Sequence, residues 1–245
     1  MTRQGSGSDL GGVRALLFDT FGTVVDWRSG IAREMAAFLE RHAIAGDAAE
    51  FADGWRRLYQ PAMEEIRQGR RPFTRLDVLN RENLEQLLAS RGVDPAALDL
   101  RELEVLNRAW HRLDPWPDSV EGLARLRRRY LIAPLSNGNI LLLTEMAKRA
   151  GIPWDCILGA EVVQAYKPLP AAYLRTADIL GLQPKECMMV AAHNDDLAAA
   201  ADVGMKTAFV LRSREHGPGQ TSDLAPDGPW DVVADDMLEL ARKLS

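Results

Sequence analysis

Two cysteines in 245 residues, Cys156 and Cys187, are too few for a disulfide framework. Each lies in an apolar stretch and reads as a buried thiol of a chain that works in a reducing compartment, so the cytoplasm is the expected location. No run of about 18 apolar residues is present, and nothing suggests a membrane span. Positive charge is not in excess either. Lys and Arg number 30 against 35 Asp and Glu, for a formal net charge of -5, which argues against a nucleic-acid partner. The basic stretch from Arg125 to Arg129 falls in a segment of amphipathic helical pattern, where its charges read as a solvated face.

What is present is an ordinary globular composition, 47% hydrophobic and 27% charged, long enough to bury a core without metal or disulfide staples. Residues 1–12, with Gly5-Ser6-Gly7-Ser8 and Gly11-Gly12, read as a flexible leader and not as a signal peptide. Residues 13–18 form a short apolar run expected to be a buried strand, ending at Asp19-Thr20-Phe21-Gly22-Thr23, where Gly22 permits a tight turn. Residues 29–112 then show helical periodicity, punctuated by Pro61, Pro72 and Asp94-Pro95. After Pro115-Trp116-Pro117 the pattern alternates. Strand-like runs at 131–135, 156–158, 188–191 and 207–211 are separated by helical segments at 119–129, 141–150, 171–180 and 197–203. Such alternation predicts an α/β fold, a parallel sheet with helices on both faces. The expected division is a core over 13–28 and 115–245, interrupted by an all-helical cap over 29–114.

In open parallel sheets, ligands bind at the carboxyl ends of strands, near the place where strand order reverses. Asp19 directly follows the first expected strand. Ser136-Asn137 follow the second, Lys167 lies beyond the third and Asp196 beyond the fourth. Singly, each has a plain explanation: a turn or capping aspartate, a Ser-Asn-Gly turn, a surface lysine, a helix cap. Together, at one edge of one sheet, they favour a shared chemical site.

The segments FDTFGTVVD, LSNGN, YKPLPAAY and VAAHNDDLAAA, in this order, resemble the motifs of the haloacid dehalogenase superfamily. The resemblance runs from Val13 to the C-terminus, and the first and third segments are the distinctive ones. It implies a Rossmann-like core, an active site between core and cap, and Asp19 as a covalent nucleophile. Most members of that superfamily are magnesium-dependent phosphatases, with a second aspartate two residues past the nucleophile that protonates the leaving alkoxide. Phe21 stands there in this chain, and it can neither donate a proton nor bind a metal. Halide leaves without a proton. Where the phosphatases carry Gly-Asp as a magnesium ligand, this chain has Ala191-Ala192, and magnesium wants hard oxygen donors.

The pattern therefore resembles the 2-haloacid dehalogenase branch, and its Ala-Ala-His-Asn form a subgroup of which some members act on fluorinated acids. This implies conversion of short 2-haloalkanoates to 2-hydroxyalkanoates and halide through an ester on Asp19, with no metal and no cofactor. A phosphatase of the same superfamily and a non-catalytic ligand-binding relative are the alternative readings. By the same resemblance, Thr23 orients the nucleophile loop. Ser136 and Lys167 hold the nucleophile and the substrate carboxylate, Asp196 orients or deprotonates water, and Tyr173 stands behind them. Arg56 and Asn137 face the departing halide, and Thr20 and Phe21 offer backbone amides to the substrate carboxylate. Arg56 reads equally as a solvated helix arginine, and Tyr173 as a core tyrosine. Phe21, Trp55, Trp110 and Trp116 are either cavity walls or simple core.

The best-known dehalogenase pattern has serine and asparagine where this chain has Ala191 and His193. His193, titratable near neutral pH, is expected in a supporting polar role, with a backbone-bonded loop histidine as the plain alternative. Asn194 is grouped with it at the substrate. The expected partner is a small 2-haloacid, with neither nucleic acid nor membrane, and the apolar cap surface offers one interface for a homodimer.

Overall fold

Ala15, Leu16, Leu17 and Phe18 are apolar on both faces of the chain, as a central parallel strand requires, and they form β1 (Ala15–Phe18), fully buried. The computed structural model describes residues 10–245, so the expected leader lies outside the described residues except for its last three. The chain leaves the core through β2 (Val25–Asp26) and enters α1 (Trp27–Arg41), whose first turn is capped by the Asp26 carboxylate accepting from the Ser29 amide at 3.0 Å. Helices α2 (Ala48–Arg67), α3 (Leu76–Ser90) and α4 (Leu100–Asn107) follow, then a 3₁₀ turn at Arg108–Arg112. The return is β3 (Asp114–Pro115), which pairs antiparallel with β2, so the helical insert leaves and re-enters the core at one stem.

The remainder runs α5 (Ser119–Leu126), β4 (Leu131–Ser136), α6 (Ile140–Ala150), β5 (Leu158–Gly159), α7 (Ala160–Val163) and α8 (Pro170–Ile179). It continues through β6 (Cys187–Ala191), α9 (Asn194–Asp202), β7 (Lys206–Val210), β8 (Val232–Ala234) and α10 (Met237–Lys243). The sheet order is β5-β4-β1-β6-β7-β8, every pair parallel. Side chains alternate across it: Leu16 and Phe18 pack with Ile132, Met188 and Val190 on one face, Ala15 and Leu17 with Ala133, Met189 and Phe209 on the other. The architecture is an α/β Rossmann-like core with a helical cap-like insertion. From β1 the chain steps outward to β4 and β5, then crosses back to β6, β7 and β8 on the other side of β1, and the crevice at this reversal lies at the end of β1.

Four sequence expectations differ from this. Pro61 sits inside α2 and does not end it. An interior proline costs a helix about 3 kcal/mol, and here Phe51, Ala52, Trp55, Tyr59 and Met63 bury a continuous face that offsets it. The helix expected over 119–129 stops at Leu126. The third strand is Leu158–Gly159, later and shorter than 156–158, and Cys156 is only half-buried; both cysteines are free thiols. Finally, β8 and α10 carried too short a pattern to be read. No helix among the described residues is long and apolar enough to cross a membrane.

Candidate active site

The sheet holds Asp19 by its backbone before it releases the chain. The Asp19 amide donates to the Val190 carbonyl at 3.0 Å, and the Thr20 carbonyl then accepts from both Val24 and Val25, closing a tight turn. Gly22 takes φ +93° within that turn, a conformation few other residues tolerate. The Asp19 carboxylate, 7% exposed, is gripped from three sides. Oδ1 accepts from Lys167 Nζ at 2.9 Å, and Oδ2 accepts from Thr23 Oγ1 at 2.8 Å. His193 Nδ1 lies 3.2 Å from the same Oδ2. Thr23 is itself fixed, its Oγ1 accepting from the Ala192 amide at 2.9 Å.

Lys167 is placed by core and cap together. Its amide donates to Asn137 Oδ1 at 2.9 Å, and its carbonyl accepts from Arg67 of α2 at 2.9 Å. Its ammonium also donates at close range to Asp196 Oδ2, while Tyr173 Oη donates to Asp196 Oδ1 at 2.6 Å. Burial works against every charge here, so the partners decide. Burial would raise the Asp19 carboxyl, but Lys167 and His193 outweigh it and hold it far below the usual carboxylate range. Asp196 goes the other way, pushed up by burial and by the charge of Asp19 despite Lys167. His193 resists burial because Glu215 and Asp19 flank it, and its pKa lies well above the ordinary histidine value.

A cleft of about 610 Å³ opens over this group, lined by Asp19, Phe21, Trp27, Arg56, Tyr59 and His193 among others. Arg56 is half-buried from the cap side. Its guanidinium carbon stands 4.2 Å from the Tyr59 ring centroid, 5.3 Å from Trp27 and 5.9 Å from Phe21, and its buried Nη1 has no hydrogen-bond partner. Asn137 and Tyr173 also line the cleft. Thr20, Thr23 and Ser136 do not. Ser136 Oγ accepts from the Gly138 amide, and the fully buried Thr20 hydroxyl is unpartnered. The Thr20 and Phe21 amides donate to no described residue, which leaves two N–H groups free beside Asp19.

Asn194 borders the cleft, but its amide group serves another purpose. It donates to Asp223 and to the Ala225 carbonyl and accepts from Trp230 Nε1, tying down the loop before β8. Of the four aromatics considered as walls, only Phe21 is one. Trp110 packs edge-on behind it, Trp55 Nε1 is committed to the Asn80 carbonyl, and Trp116 Nε1 to the Gly22 carbonyl. Sequence reasoning missed Trp27, Tyr59 and Glu215. Glu215 Oε2 meets His193 Nε2 at 2.9 Å, and its Oε1 accepts from Trp27 Nε1 at 2.9 Å. Its only sequence signal is a charged triplet, Arg214-Glu215-His216, in a loop that follows a sheet strand.

The donor set does not suit magnesium. The Lys167 ammonium already bridges Asp19 and Asp196, and Ala192 offers no oxygen where a third carboxylate would be needed. Among the described residues no cluster of three or more His, Cys, Asp or Glu side chains is arranged to hold a metal.

Comparison with known proteins agrees with this geometry. The family model of haloacid dehalogenase-like hydrolases matches residues 13–204. The crystal structure of a defluorinating L-2-haloacid dehalogenase is 57% identical, with TM-score 0.94 over 95% of each chain. That of a further L-2-haloacid dehalogenase is 45% identical, with TM-score 0.90 over 95% of this chain and 98% of the other. The (S)-2-haloacid dehalogenase of Xanthobacter autotrophicus is 28% identical over 202 residues, 82% of this chain and 76% of that protein. An ionised strand-end aspartate, the lysine and second aspartate behind it, and these matches together place the chain in the haloacid dehalogenase superfamily of hydrolases, within its L-2-haloacid dehalogenase branch.

Proposed function

We propose that this chain hydrolyses short 2-haloalkanoates without a metal ion, with Asp19 as the nucleophile. The observation that carries the proposal is the pairing across one cleft of an ionised Asp19 with Arg56, whose buried Nη1 lacks any partner amid aromatic rings. An unpaired buried guanidinium N–H is costly, and an anion arriving in that box would satisfy it. Halide is such an anion, and Phe21 offers no acid for a leaving group that needs one.

The reaction adds water to a 2-haloalkanoate and yields a 2-hydroxyalkanoate, halide and a proton. Asp19 attacks the halogen-bearing carbon opposite the halogen, forming an ester as the halide departs towards Arg56 and Asn137. The free amides of Thr20 and Phe21 and the Lys167 ammonium hold the substrate carboxylate. Water, oriented by Asp196, then attacks the carbonyl carbon of the Asp19 ester. Carbon 2 is inverted because only the first step touches it. The relative at 57% identity is named for defluorination, so fluoroacetate belongs among the substrates.

The test is halide release from chloroacetate, bromoacetate, fluoroacetate and L-2-chloropropionate with EDTA present. Wild-type release should persist, and Asp19→Asn should lose at least ~10⁴-fold, as loss of a covalent nucleophile does elsewhere. Magnesium-dependent turnover of a phosphate ester, with no halide from any haloacid, would reverse the proposal.

A further inference from the structure

Glu215 is a carboxylate with a side chain only 1% exposed, and the steps above give it no task. It comes from the loop after β7, and three features fix it in place. Arg212, three residues earlier, donates from Nε to the Thr23 carbonyl at 2.9 Å and pairs through both terminal nitrogens with Asp118 at 2.8 Å, stapling the loop to the nucleophile turn. Trp27, the first residue of α1, donates to Oε1. Gly22 leaves the room: a Cβ there would stand 2.1 Å from Glu215 Oε1. The carboxylate thus occupies the notch beneath the nucleophile turn, with Oε2 against His193 Nε2 and with Nδ1 of the same ring against Asp19.

The geometry points to Glu215 as a positioning residue that fixes the orientation and tautomer of His193, and to His193 as the acid–base group that hydrolyses the Asp19 ester. This rests on the dehalogenase reading above. With Nε2–H committed to Glu215, the other nitrogen faces the reacting carboxylate, as the base of a hydrolytic triad does. Lys167 and Tyr173 each donate to one oxygen of Asp196, and the lone pair left on each can orient a water whose proton goes to His193.

The steps balance. The cycle starts from a protonated His193 whose Nδ1 faces Asp19 Oδ2 at 3.2 Å. Ester formation expels halide and removes the Asp19 charge, one of the two negative charges keeping His193 protonated. The imidazolium then loses its proton to solvent, which is the proton of the overall reaction. Neutral Nδ1 next takes a proton from water as its oxygen bonds to the Asp19 carbonyl carbon. The tetrahedral intermediate collapses, the bond to the product oxygen breaks, and His193 returns the proton to that oxygen. The new Asp19 carboxyl passes its proton to His193, restoring the starting pair.

Glu215→Gln keeps the size and one acceptor oxygen but removes the charge. In rapid-quench experiments with excess L-2-chloropropionate it should release one equivalent of halide per site in a fast burst. Turnover should then fall by about 10²-fold or more, and the Asp19 peptide should carry the mass of the ester. His193→Gln should partition the two steps in the same way, and it decides the matter should Glu215→Gln fail to fold. Variants that fold and lose the burst together with turnover, or that turn over at the wild-type rate, overturn the assignment. Wild-type enzyme that releases no halide would instead defeat the underlying dehalogenase reading.

Discussion

Two histidines in this molecule have nearly the same surroundings and different prospects. His193 lies between Asp19 and Glu215 on the cleft floor, and His111 between Asp77 and Glu145 at the seam of insert and core. His111 Nδ1 meets Glu145 of α6 at 2.7 Å and Nε2 meets Asp77 of α3 at 2.9 Å. Asn139 grips Asp77 again, donating to Oδ2 at 2.8 Å and accepting from its amide at 3.2 Å. For both rings burial opposes the charged form, and both are nonetheless raised above the ordinary histidine pKa by their carboxylates. The difference is in what the carboxylates face. Asp19 borders an open cleft, whereas Asp77 and Glu145 are occupied with the seam and do not line that cleft. A perturbed titration thus marks a strong local field, and only access to a reactant makes that field a site.

The sharpest separation of the two comes from removing each ring in turn. His193→Gln should lower turnover by about 10²- to 10⁴-fold. His111→Gln should leave turnover near wild type and cost about 1–2 kcal/mol in urea unfolding. That figure lies below the usual penalty for breaking a buried pair because the Asp77 and Glu145 side chains keep 24% and 42% of their exposure and stay partly solvated. Equal losses of activity in the two variants would erase the distinction between seam and site.

The sequence showed the His193 side of this comparison only in part. Asp19, Lys167, Asp196 and the turn threonine Thr23 were legible because each follows a strand in a fixed motif order, and the structure brings them within hydrogen-bond reach of one another. Glu215 and Trp27 were not legible. They meet across 188 residues through a loop and the first turn of a helix, and no periodicity or spacing encodes such a meeting. The His111 cluster was invisible for the same reason. Local rules also failed where packing overrode them, as at Pro61 inside α2, and where an element was too short to carry a pattern, as with the three residues of β8.

A subtler break leaves both histidines in place. Gly22→Ala would put a methyl group onto Glu215 Oε1 and force alanine to φ +93°. The strain alone should cost about 1–3 kcal/mol. Displacing Glu215 should also lower turnover roughly tenfold, within the range expected when positioning of a catalytic group is disturbed. Halide burst kinetics would locate that loss in ester hydrolysis. A loss of stability with unchanged turnover would mean that His193 holds its place without Glu215.

The smallest effect separates the two rings by pH. Each has a folded-state pKa raised above its unfolded value of about 6.5, so its contribution to stability is complete below that pH. It is lost as pH rises through the folded value. The thermal midpoint should therefore decline by a few degrees on the alkaline side, and His111→Gln should flatten part of the decline. Asp19→Asn then distinguishes the remainder. It removes one of the two anions beside His193 and none beside His111, so the His193 share of the decline should move to lower pH while the His111 share stays in place. A profile that does not move at all in Asp19→Asn would show that Asp19 contributes nothing to holding the His193 proton. The ester would then have no means of releasing it.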